Sequence, residues 1–591
     1  MKKNILLNIL VCFIIFLGSC SKNVANKNGA VSSTSKIASQ VGVNVLKQGG
    51  NAFDALVATG FALAVTSPAN GNLGGGGFLV ARTSSGEIIS LDFREKAPRS
   101  SFEKMFLDEN ENYDKEIALY SHKSSGVPGT VDGLIKIFED YGSGKFTLQQ
   151  IIEPAIILAK NGFPLEEAAA YSFDNYKFEF LEDKGSTDIF INSNDEVLSL
   201  KKRFTNNDIE EKEYKERLDA IDIWKEGDIF VQKDLSKTLE RIAINGRMGF
   251  YQGVTADLIV NEMQKNGGLI SKDDLIKYES KYRVPIIGTY KNYVIASMGP
   301  PSSGGTLLVQ MLNMLENFNI AEMKRNSSEF VHLLTEVQRL AYADRSIHLG
   351  DPDFWDNPIE ILISKKYAKE RLKLISLNEA TPSDEIAAGH QFAESNETTH
   401  YSVMDKFGNT AGITTTINFS YGNKKIVDGA GFLLNNEMDD FSAKPNVPNA
   451  FGLVGDKANA IEPYKRPLSS MSPTLVINEK GETILTLGAA GGSRIITAVL
   501  QIILSVIDHD LTIQKAIDHP RTHSQWIPDL IFYEKKSLNS KTMKQLKDLK
   551  HKFYKETTDL ARAHGIQRKD GTFITGADKR GEYNGKEAIT Y

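Results

Sequence analysis

Hydrophobic and polar positions follow different patterns in successive parts of the chain. Residues 38–65 are rich in Ala, Val and Leu at helical spacing and predict one or two buried helices. Residues 78–94 alternate like two paired strands around a turn at 84–87. From about residue 130 to 380 the pattern is mostly helical. After residue 397, short β-rich runs separated by turns lead into further helical segments, which predicts a sheet with helices packed on a face.

The first twenty residues have the pattern of an export signal. Lys2 and Lys3 precede a mostly apolar run over residues 5–17, which is too short for a comfortable membrane span and fits the core of a signal peptide. Small residues then stand directly before Cys20, and this segment resembles a bacterial lipobox. In a lipobox the cysteine is lipidated and becomes the new N-terminus. The alternative is an ordinary signal peptide cut nearby, with Cys20 incidental.

These features predict how the N-terminal part is organised and where the protein resides. We expect a lipoprotein signal peptide over residues 1–19 and a lipidated polar tether over residues 20–36. Beyond them, no stretch reaches the roughly 18 uninterrupted apolar residues that a membrane-spanning helix needs. The body is therefore expected to be soluble and exported, periplasmic or at the cell surface, with a lipid as its only membrane anchor.

Composition narrows the class of protein. The 591 residues are 41% hydrophobic and 24% charged, which excludes disorder, collagen and coiled coil as descriptions of the whole chain. A formal net charge of −6 argues against a nucleic-acid binder. The only cysteines, Cys12 and Cys20, precede the body, which excludes a disulfide framework, a cysteine-ligated metal and a cysteine nucleophile there.

A hydroxyl-rich segment lies where the helical and β-rich parts meet. Residues 394–397 indicate a polar, exposed loop, and Thr398 and Thr399 begin the first β-rich run. Cleavage of the chain just before a threonine would give that residue an α-amine with a pKa of about 8, which can act as the base for its own hydroxyl. By themselves, the two threonines could equally be ordinary strand residues on a half-buried surface, without a catalytic role.

Ten motifs occur in a fixed order around this segment. In chain order they are residues 71–78, 92–95, 126–130, 300–305, 342–345, 350–353, 398–402, 435–441, 465–474 and 491–494. Together they resemble the γ-glutamyltransferase (γ-glutamyl transpeptidase) family of N-terminal-nucleophile hydrolases, in its bacterial form. The resemblance covers residues 37–591.

The resemblance implies a fold and a maturation step. The fold is α+β, a four-layer αββα sandwich of the N-terminal-nucleophile hydrolase type, built from both subunits of one self-cleaved precursor. The cut would fall between Glu397 and Thr398. It would give a large subunit over 37–397 and a small, catalytic subunit over 398–591, which pair as a heterodimer and form one domain. Thr399 is the rival nucleophile.

The resemblance also implies an activity, that of an autoprocessing γ-glutamyltransferase and hydrolase. The Thr398 hydroxyl would attack the γ-glutamyl amide of glutathione, glutamine or a related compound. The resulting ester would pass to water, an amino acid or a peptide. Thr416 would orient the Thr398 amine or hydroxyl, and backbone N–H groups at Gly491 and Gly492 would stabilise the oxyanion.

A free γ-linked glutamate end needs one set of groups for its α-carboxylate and another for its α-ammonium. The positions implied for the carboxylate are Arg94, Ser469 and Ser470. The positions implied for the ammonium are Asn418, Glu437 and Asp440. Arginine suits a bidentate grip on a carboxylate. Without the resemblance, Arg94 would be interpreted as a surface ion pair and the two serines as a turn.

Two further features bear on the pocket and on cofactors. Residues 441–454 resemble the lid of bacterial members, with Phe451 as a candidate cap that cannot make the hydrogen bond of the tyrosine found there in some members. Asp508, His509 and Asp510 offer metal-ligand atoms, but no metal-binding motif accompanies them. Neither a metal nor another cofactor is expected.

Two other functions remain open. A related acylase on the same fold would cleave glutaryl-type side chains, which lack the α-ammonium, so Asn418, Glu437 and Asp440 argue against it. A non-catalytic lipoprotein that binds amino acids or peptides would keep the pocket of Arg94 and Asp440 and would not need Thr398. A single uncut chain without activity on a γ-glutamyl amide would indicate this second alternative.

Overall fold

The structure is a computed structural model that describes residues 27–192, 194–383, 398–444, 453, 455–580 and 588–591. Some of the predictions concern residues outside these ranges. They are the signal peptide, Cys12, Cys20, Glu397, and Phe451 with most of the predicted lid. Within the described ranges, no helix combines the length and the apolar character that crossing a membrane requires.

The secondary structure alternates short strands with helices of very different lengths. The strands are β1 (Gly29–Ser32), β2 (Gly76–Arg82), β3 (Ile88–Asp92), β4 (Phe163–Pro164), β5 (Ile229–Phe230), β6 (Lys281–Arg283), β7 (Ile286–Tyr290), β8 (Tyr293–Ser297), β9 (Thr399–Asp405), β10 (Thr410–Thr416), β11 (Thr474–Ile477), β12 (Thr483–Ala490), β13 (Thr522–His523), β14 (Phe532–Tyr533), β15 (Arg562–Lys569), β16 (Thr572–Ala577) and β17 (Ile589–Thr590). The α-helices are α1 (Lys36–Lys47), α2 (Ala52–Thr66), α3 (Lys115–Tyr120), α4 (Thr130–Tyr141), α5 (Leu148–Asn161), α6 (Glu167–Asn175), α7 (Lys177–Phe180), α8 (Lys184–Phe190), α9 (Asp195–Thr205), α10 (Glu211–Asp219), α11 (Lys233–Asn245), α12 (Met248–Tyr251), α13 (Gly253–Asn266), α14 (Lys272–Lys277), α15 (Gly304–Leu315), α16 (Ser328–His348), α17 (Ile359–Leu362), α18 (Lys365–Leu372), α19 (Arg494–Ile507), α20 (Ile513–Asp518) and α21 (Ser540–Asp548). Short 3₁₀ helices lie at His122–Ser124, Ile320–Glu322, Glu437–Asp440 and Lys457–Asn459.

Two antiparallel sheets form the centre of the fold. The first has seven strands in the order β17-β1-β9-β10-β2-β3-β6, and the second has six in the order β16-β15-β12-β11-β8-β7. Each sheet therefore combines strands that precede Thr398 in the chain with strands that follow it. A cut before Thr398 would leave the two pieces hydrogen-bonded to each other in both sheets.

Helices cover the outer face of each sheet. α1 and α2 contact the first sheet, and α4 and α5 pack on α2 in a core that includes Leu79 and Ile413. α2 is buried along its whole length. α15 and α19 contact the second sheet, and α16 packs on α15 in a core that includes Leu475 and Leu487. The inner faces meet where β9 and β10 contact β12, and Met404 packs against residues of β15 and β16. The predicted α+β, four-layer αββα sandwich is confirmed.

A polar network lies between the two sheets, beneath the start of β9. His400 Nδ1 lies 2.9 Å from Thr414 Oγ1, and its Nε2 lies 2.9 Å from Ser402 Oγ. Ser402 Oγ in turn lies 3.3 Å from Thr486 Oγ1 in the second sheet. Burial holds the pKa of His400 well below its usual value, so the ring is neutral. The network fixes β9 against both β10 and β12 two residues after Thr398.

The local predictions from periodicity are confirmed where the pattern is regular. The helical segment over residues 38–65 corresponds to α1 and α2. A capping box begins α2, because the Asn51 side chain accepts the Asp54 N–H while the Asp54 carboxylate accepts the Asn51 N–H. The alternation over residues 78–94 corresponds to β2 and β3, and the β-rich runs after residue 397 include β9 to β12.

The tether predicted over residues 20–36 is wrong from Gly29 onward. Gly29 begins β1, which is fully buried between β9 and β17 in the first sheet. Its polar end is buried because the hydroxyl finds a partner: Ser32 Oγ donates to the Gly576 carbonyl at 2.9 Å. A serine-rich run therefore suggested solvent exposure where the chain forms a strand.

The sequence pattern did not predict two of the hairpins. The hairpin β7–β8 lies inside residues 130–380, where the pattern predicted helices. The hairpin β15–β16 lies close to the C-terminal end. β15 carries Arg, His, Gln and Lys side chains, and this polar character hides a strand whose middle positions are buried.

Candidate active site

Thr398 stands directly before β9, at one end of the first sheet. β9 and β10 pair in antiparallel register with Thr399 opposite Thr415, so continuing the register by one residue places Thr416 opposite Thr398. Thr398 is 5% exposed and lines a pocket. The first residue after the predicted cut therefore lies in a cavity.

The same pocket brings together most of the site residues predicted from the sequence. Its lining includes Arg94, Thr398, Thr416, Asn418, Glu437, Asp440, Ser469, Ser470 and Gly492. They are spread over most of the chain, so only the fold makes them neighbours. Gly491 precedes Gly492 but is not among the lining residues. The other predicted site residues, Glu397 and Cys20, lie outside the described residues.

Arg94 directs its guanidinium at two carboxylates. It follows β3, where its backbone N–H donates to Asp92 Oδ1 at 3.0 Å. Its Nη1 pairs with Glu437 and its Nη2 with Asp440, and both partners belong to one 3₁₀ turn. Burial alone would lower the pKa of Arg94, but these carboxylates raise it above its ordinary value. The guanidinium is therefore charged.

Two buried carboxyl groups beside Arg94 have raised pKa values. Burial raises the pKa of Glu437 well above its usual value, against the opposing effect of Arg94. Burial also raises the pKa of Glu95 to about 7, although its Oε2 lies 3.6 Å from Arg94 Nη1. Neither oxygen of Glu95 has a hydrogen-bond partner among the residues that the structure describes. In the sequence Glu95 is only a residue of the motif 92–95, because no local pattern shows that it is buried.

The turn after β10 holds Thr416 and Asn418 at the pocket. The Asn418 backbone N–H donates to Thr416 Oγ1 at 2.8 Å. Asn418 has a left-handed backbone with φ of 73°, which asparagine tolerates better than most residues. Its side-chain Nδ2 donates to the Asn436 carbonyl at 2.9 Å, which ties this turn to the acidic 3₁₀ turn that begins at Glu437.

Backbone hydrogen bonds fix Ser469 in the pocket wall, and the neighbouring Ser470 has a hydroxyl without a partner among the described residues. The Ser469 N–H donates to the Pro301 carbonyl at 2.8 Å, and the Ser469 carbonyl accepts the Ser303 N–H at 2.9 Å. Ser469 Oγ accepts the Met471 N–H at 3.1 Å. Ser470 Oγ is buried and has no hydrogen-bond partner among the described residues. That hydroxyl is available to a ligand in the pocket.

The glycine pair forms the entry to α19. Gly491 has φ of 138° and Gly492 has φ of 54°, values that glycine adopts without strain. A Cβ on Gly491 would lie 2.8 Å from the Ala561 Cα. α19 begins at Arg494, so the backbone N–H groups at this end of the helix carry partial positive charge. This geometry fits an anion-stabilising turn beside Thr398.

Arg345 also lines the pocket, although the sequence analysis gave it no role. It lies in the last turn of α16, is 4% exposed, and donates from Nε to Ser303 Oγ at 3.0 Å. Burial lowers its pKa to about 10, so it is charged at neutral pH. Its motif, residues 342–345, was part of the family pattern, but only the fold brings it to the pocket.

One cluster of metal-ligand types lies away from the pocket. His332, Glu336 and His551 place ligand atoms within 4.8 Å of one another. His332 Nδ1 lies 2.7 Å from His551 Nε2, the separation of a hydrogen bond. Glu336 accepts from the Arg339 guanidinium at 2.7 Å. These atoms are therefore engaged with one another and with a cation.

Known proteins that are similar to this chain indicate one family. A family model described as gamma-glutamyltranspeptidase matches residues 38–212 and 214–588. A glutathione hydrolase proenzyme from Escherichia coli (strain K12) is 46% identical over 513 residues, covering 87% of this chain and 83% of that protein.

Solved structures agree with these sequence matches. The gamma-glutamyltranspeptidase of Helicobacter pylori is 42% identical with a TM-score of 0.54, and the match covers 60% of this chain and 94% of that one. A cephalosporin acylase from Bacillus halodurans superposes with a TM-score of 0.78 over 96% of both chains at 23% identity, a likeness of fold alone.

Proposed function

The chain belongs to the gamma-glutamyltranspeptidase family, and we propose that it matures by cutting itself before Thr398 and then acts as a γ-glutamyltransferase and glutathione hydrolase. One observation carries the assignment of the site. Thr398, at the start of a buried strand, shares one pocket with a guanidinium and two carboxylates. Such a pocket pairs a nucleophile with charges complementary to an amino acid.

Maturation is an N-to-O acyl shift followed by hydrolysis. The Thr398 hydroxyl attacks the carbonyl carbon of Glu397, so that a C–O bond forms and the peptide C–N bond breaks. The nitrogen becomes the α-amine of Thr398. Water then cleaves the ester, which leaves a carboxylate on Glu397 and regenerates the hydroxyl.

Turnover repeats this chemistry on a γ-glutamyl amide. The Thr398 hydroxyl attacks the γ-carbonyl, its proton passes by way of the α-amine to the leaving amine, and a γ-glutamyl ester remains on Thr398. Backbone N–H groups at Gly491 and Gly492 stabilise the oxyanion that precedes the ester. Water completes hydrolysis, whereas the amine of an amino acid or peptide completes transfer.

Recognition follows from the charges around Arg94. The α-ammonium of the substrate pairs with Glu437 and Asp440, and the Asn418 amide lies beside them. Arg94 is then released to bind the α-carboxylate, helped by the Ser470 hydroxyl. A glutaryl-type substrate would lack the ammonium and leave two carboxylates facing it. The related acylase function is therefore disfavoured, even though an acylase shares the fold.

Location and acceptors complete the proposal. The pattern of residues 1–19 and the small residues before Cys20 support export and lipidation of that cysteine. The protein then acts in the periplasm or at the cell surface on small γ-glutamyl compounds. Amino acids and peptides serve as acceptors.

The decisive experiment combines a mass measurement with an assay. Purified protein is analysed by intact mass and by N-terminal sequencing, and release from a γ-glutamyl anilide is followed with and without a dipeptide acceptor. The proposal expects two subunits, a small subunit that starts at Thr398, and release that the acceptor accelerates. A single uncut chain without release would overturn it and favour the binding-lipoprotein alternative.

A further inference from the structure

Two arginines line the pocket, and their surroundings differ. Arg94 has its two terminal nitrogens on Glu437 and Asp440. Within the described part of the chain, no carboxylate lies within ion-pair distance of Arg345. The only side-chain hydrogen bond of Arg345 within those residues runs from Nε to the neutral hydroxyl of Ser303. The pocket therefore contains one guanidinium whose charge is already compensated and one whose charge is not.

A buried cation without a counter-ion is costly, so its position calls for a physical reason. Arg345 is 4% exposed, and burial lowers its pKa to about 10. Asp440 acts on it favourably and Arg94 unfavourably, which places Arg345 at the same end of the pocket as both. A ligand that brought a negative charge to this end would remove the imbalance.

Arg345 is also tied to the residue expected to bind a carboxylate. Its Nε donates to Ser303 Oγ at 3.0 Å, and Ser303 Oγ donates to the Ser469 carbonyl at 2.8 Å. The Nε of Arg345 therefore helps to position Ser469 and is not available to a ligand. The two terminal nitrogens of Arg345 remain for a ligand in the pocket that they help to line.

We propose that Arg345 is a second carboxylate-binding residue of this pocket, so that the α-carboxylate of the γ-glutamyl group lies between the guanidinium groups of Arg94 and Arg345. This inference rests on the proposed γ-glutamyl function and deepens it. Before binding, Arg94 is held by Glu437 and Asp440. The zwitterionic substrate supplies an ammonium for those acids and a carboxylate for the arginines, so all charges are paired in the complex.

A matched pair of inhibitors tests the proposal. L-glutamate and 4-aminobutanoate differ only in the α-carboxylate, and both are measured as competitive inhibitors of γ-glutamyl anilide hydrolysis. The variants are Arg345→Met, which removes the charge, and Arg345→Lys, which restores it. Ser303→Ala is the comparison variant, because it removes the hydroxyl that links Arg345 Nε to the Ser469 carbonyl and keeps the guanidinium charge.

The expected result is a selective loss. Arg345→Met raises the inhibition constant of L-glutamate roughly 10- to 100-fold, the effect of losing a charge-assisted hydrogen bond, and leaves that of 4-aminobutanoate within about threefold. Arg345→Lys recovers most of the difference. Ser303→Ala keeps the guanidinium charge and raises the inhibition constant of L-glutamate by less than Arg345→Met does. Equal changes for both inhibitors in Arg345→Met would make Arg345 a purely structural residue and overturn the proposal.

A second measurement covers a variant that does not mature. A crystal structure of the wild-type enzyme with L-glutamate should place an α-carboxylate oxygen within about 4 Å of an Arg345 terminal nitrogen. A carboxylate that contacts Arg94 alone would overturn the proposal. Failure of the wild-type enzyme to release the anilide at all would instead count against the proposed γ-glutamyl function, so the two failures are distinct.

Discussion

Thr399 of β9 lies opposite Thr415 of β10 in the first sheet. Thr398 directly precedes Thr399 and Thr416 directly follows Thr415, so the same register places Thr398 opposite Thr416, and both line the pocket. β9 is held in place by the buried His400 network and by its antiparallel pairing with β1. The nucleophile position is thus set by a rigid strand rather than by a loop.

Removing the Thr398 hydroxyl should prevent maturation. Thr398→Ala should remain a single polypeptide, because no oxygen is left to attack the Glu397 carbonyl. Thr399→Ala is the matched control, and it should still give two fragments. Denaturing gel electrophoresis with intact mass checks both variants. Two fragments from Thr398→Ala would remove Thr398 as the nucleophile.

Thr416 should affect catalysis more than binding. Its Oγ1 accepts the Asn418 N–H at 2.8 Å, opposite Thr398. Thr416→Ala should lower kcat by about 100-fold or more, because a group that assists proton transfer is lost. KM should remain nearly unchanged. Thr416→Ser keeps the hydroxyl and should retain most activity. A Thr416→Ala variant with wild-type kcat would exclude this role.

Asp440 should affect binding more than catalysis. Its carboxylate pairs with Arg94 in the pocket, and it is assigned to the α-ammonium of the substrate. Asp440→Asn should raise KM for a γ-glutamyl anilide roughly 100-fold, since one partner of a buried charge pair is lost, while both subunits still form. Steady-state kinetics on the purified, processed variant provides the measurement.

The neighbouring acid provides the control for this prediction. Asp439 accepts a hydrogen bond from the Tyr113 hydroxyl and is absent from the pocket lining. Asp439→Asn should therefore leave KM within a few-fold of wild type. Similar KM values for Asp439→Asn and Asp440→Asn would show that the acidic turn acts only through its shape.

Sequence predicted those parts of the site that depend on residue type within a motif. Arg94, Asp440 and Ser470 could be placed in one pocket only through the resemblance of their motifs to the γ-glutamyltransferase family, because the residues lie far apart in the chain. Regular periodicity likewise predicted α1, α2 and the β9–β10 hairpin. Periodicity is a local signal, so it can be recognised without knowledge of the fold.

The remaining parts depend on tertiary burial, which no local pattern reports. β1 has a polar composition, yet Ser32 is buried because its hydroxyl bonds to a carbonyl on another strand. Arg345 and Glu95 resemble ordinary charged residues in the sequence. Their importance comes from being buried beside Arg94, with few partners or none of opposite charge.

Glu95 should make the protein less stable as the pH rises through neutrality. Burial raises its pKa in the folded state to about 7, against 4.5 for the ordinary carboxyl. Between these values the folded protein keeps a proton that the unfolded chain has lost, so stability falls with rising pH, and the loss is complete above about pH 7. Below about pH 4.5 both states are protonated and the contribution vanishes.

Glu95→Gln should remove this dependence, because the amide does not titrate. The thermal unfolding midpoint of the wild-type protein should decrease between pH 5.5 and pH 8 by more than that of Glu95→Gln, and the difference should correspond to roughly 1–3 kcal/mol. Glu479→Gln, at an exposed turn position between β11 and β12, is the control and should behave as wild type. Identical pH profiles for wild type and Glu95→Gln would mean that Glu95 titrates at its ordinary pKa, and that Arg94 compensates its charge fully despite the 3.6 Å separation.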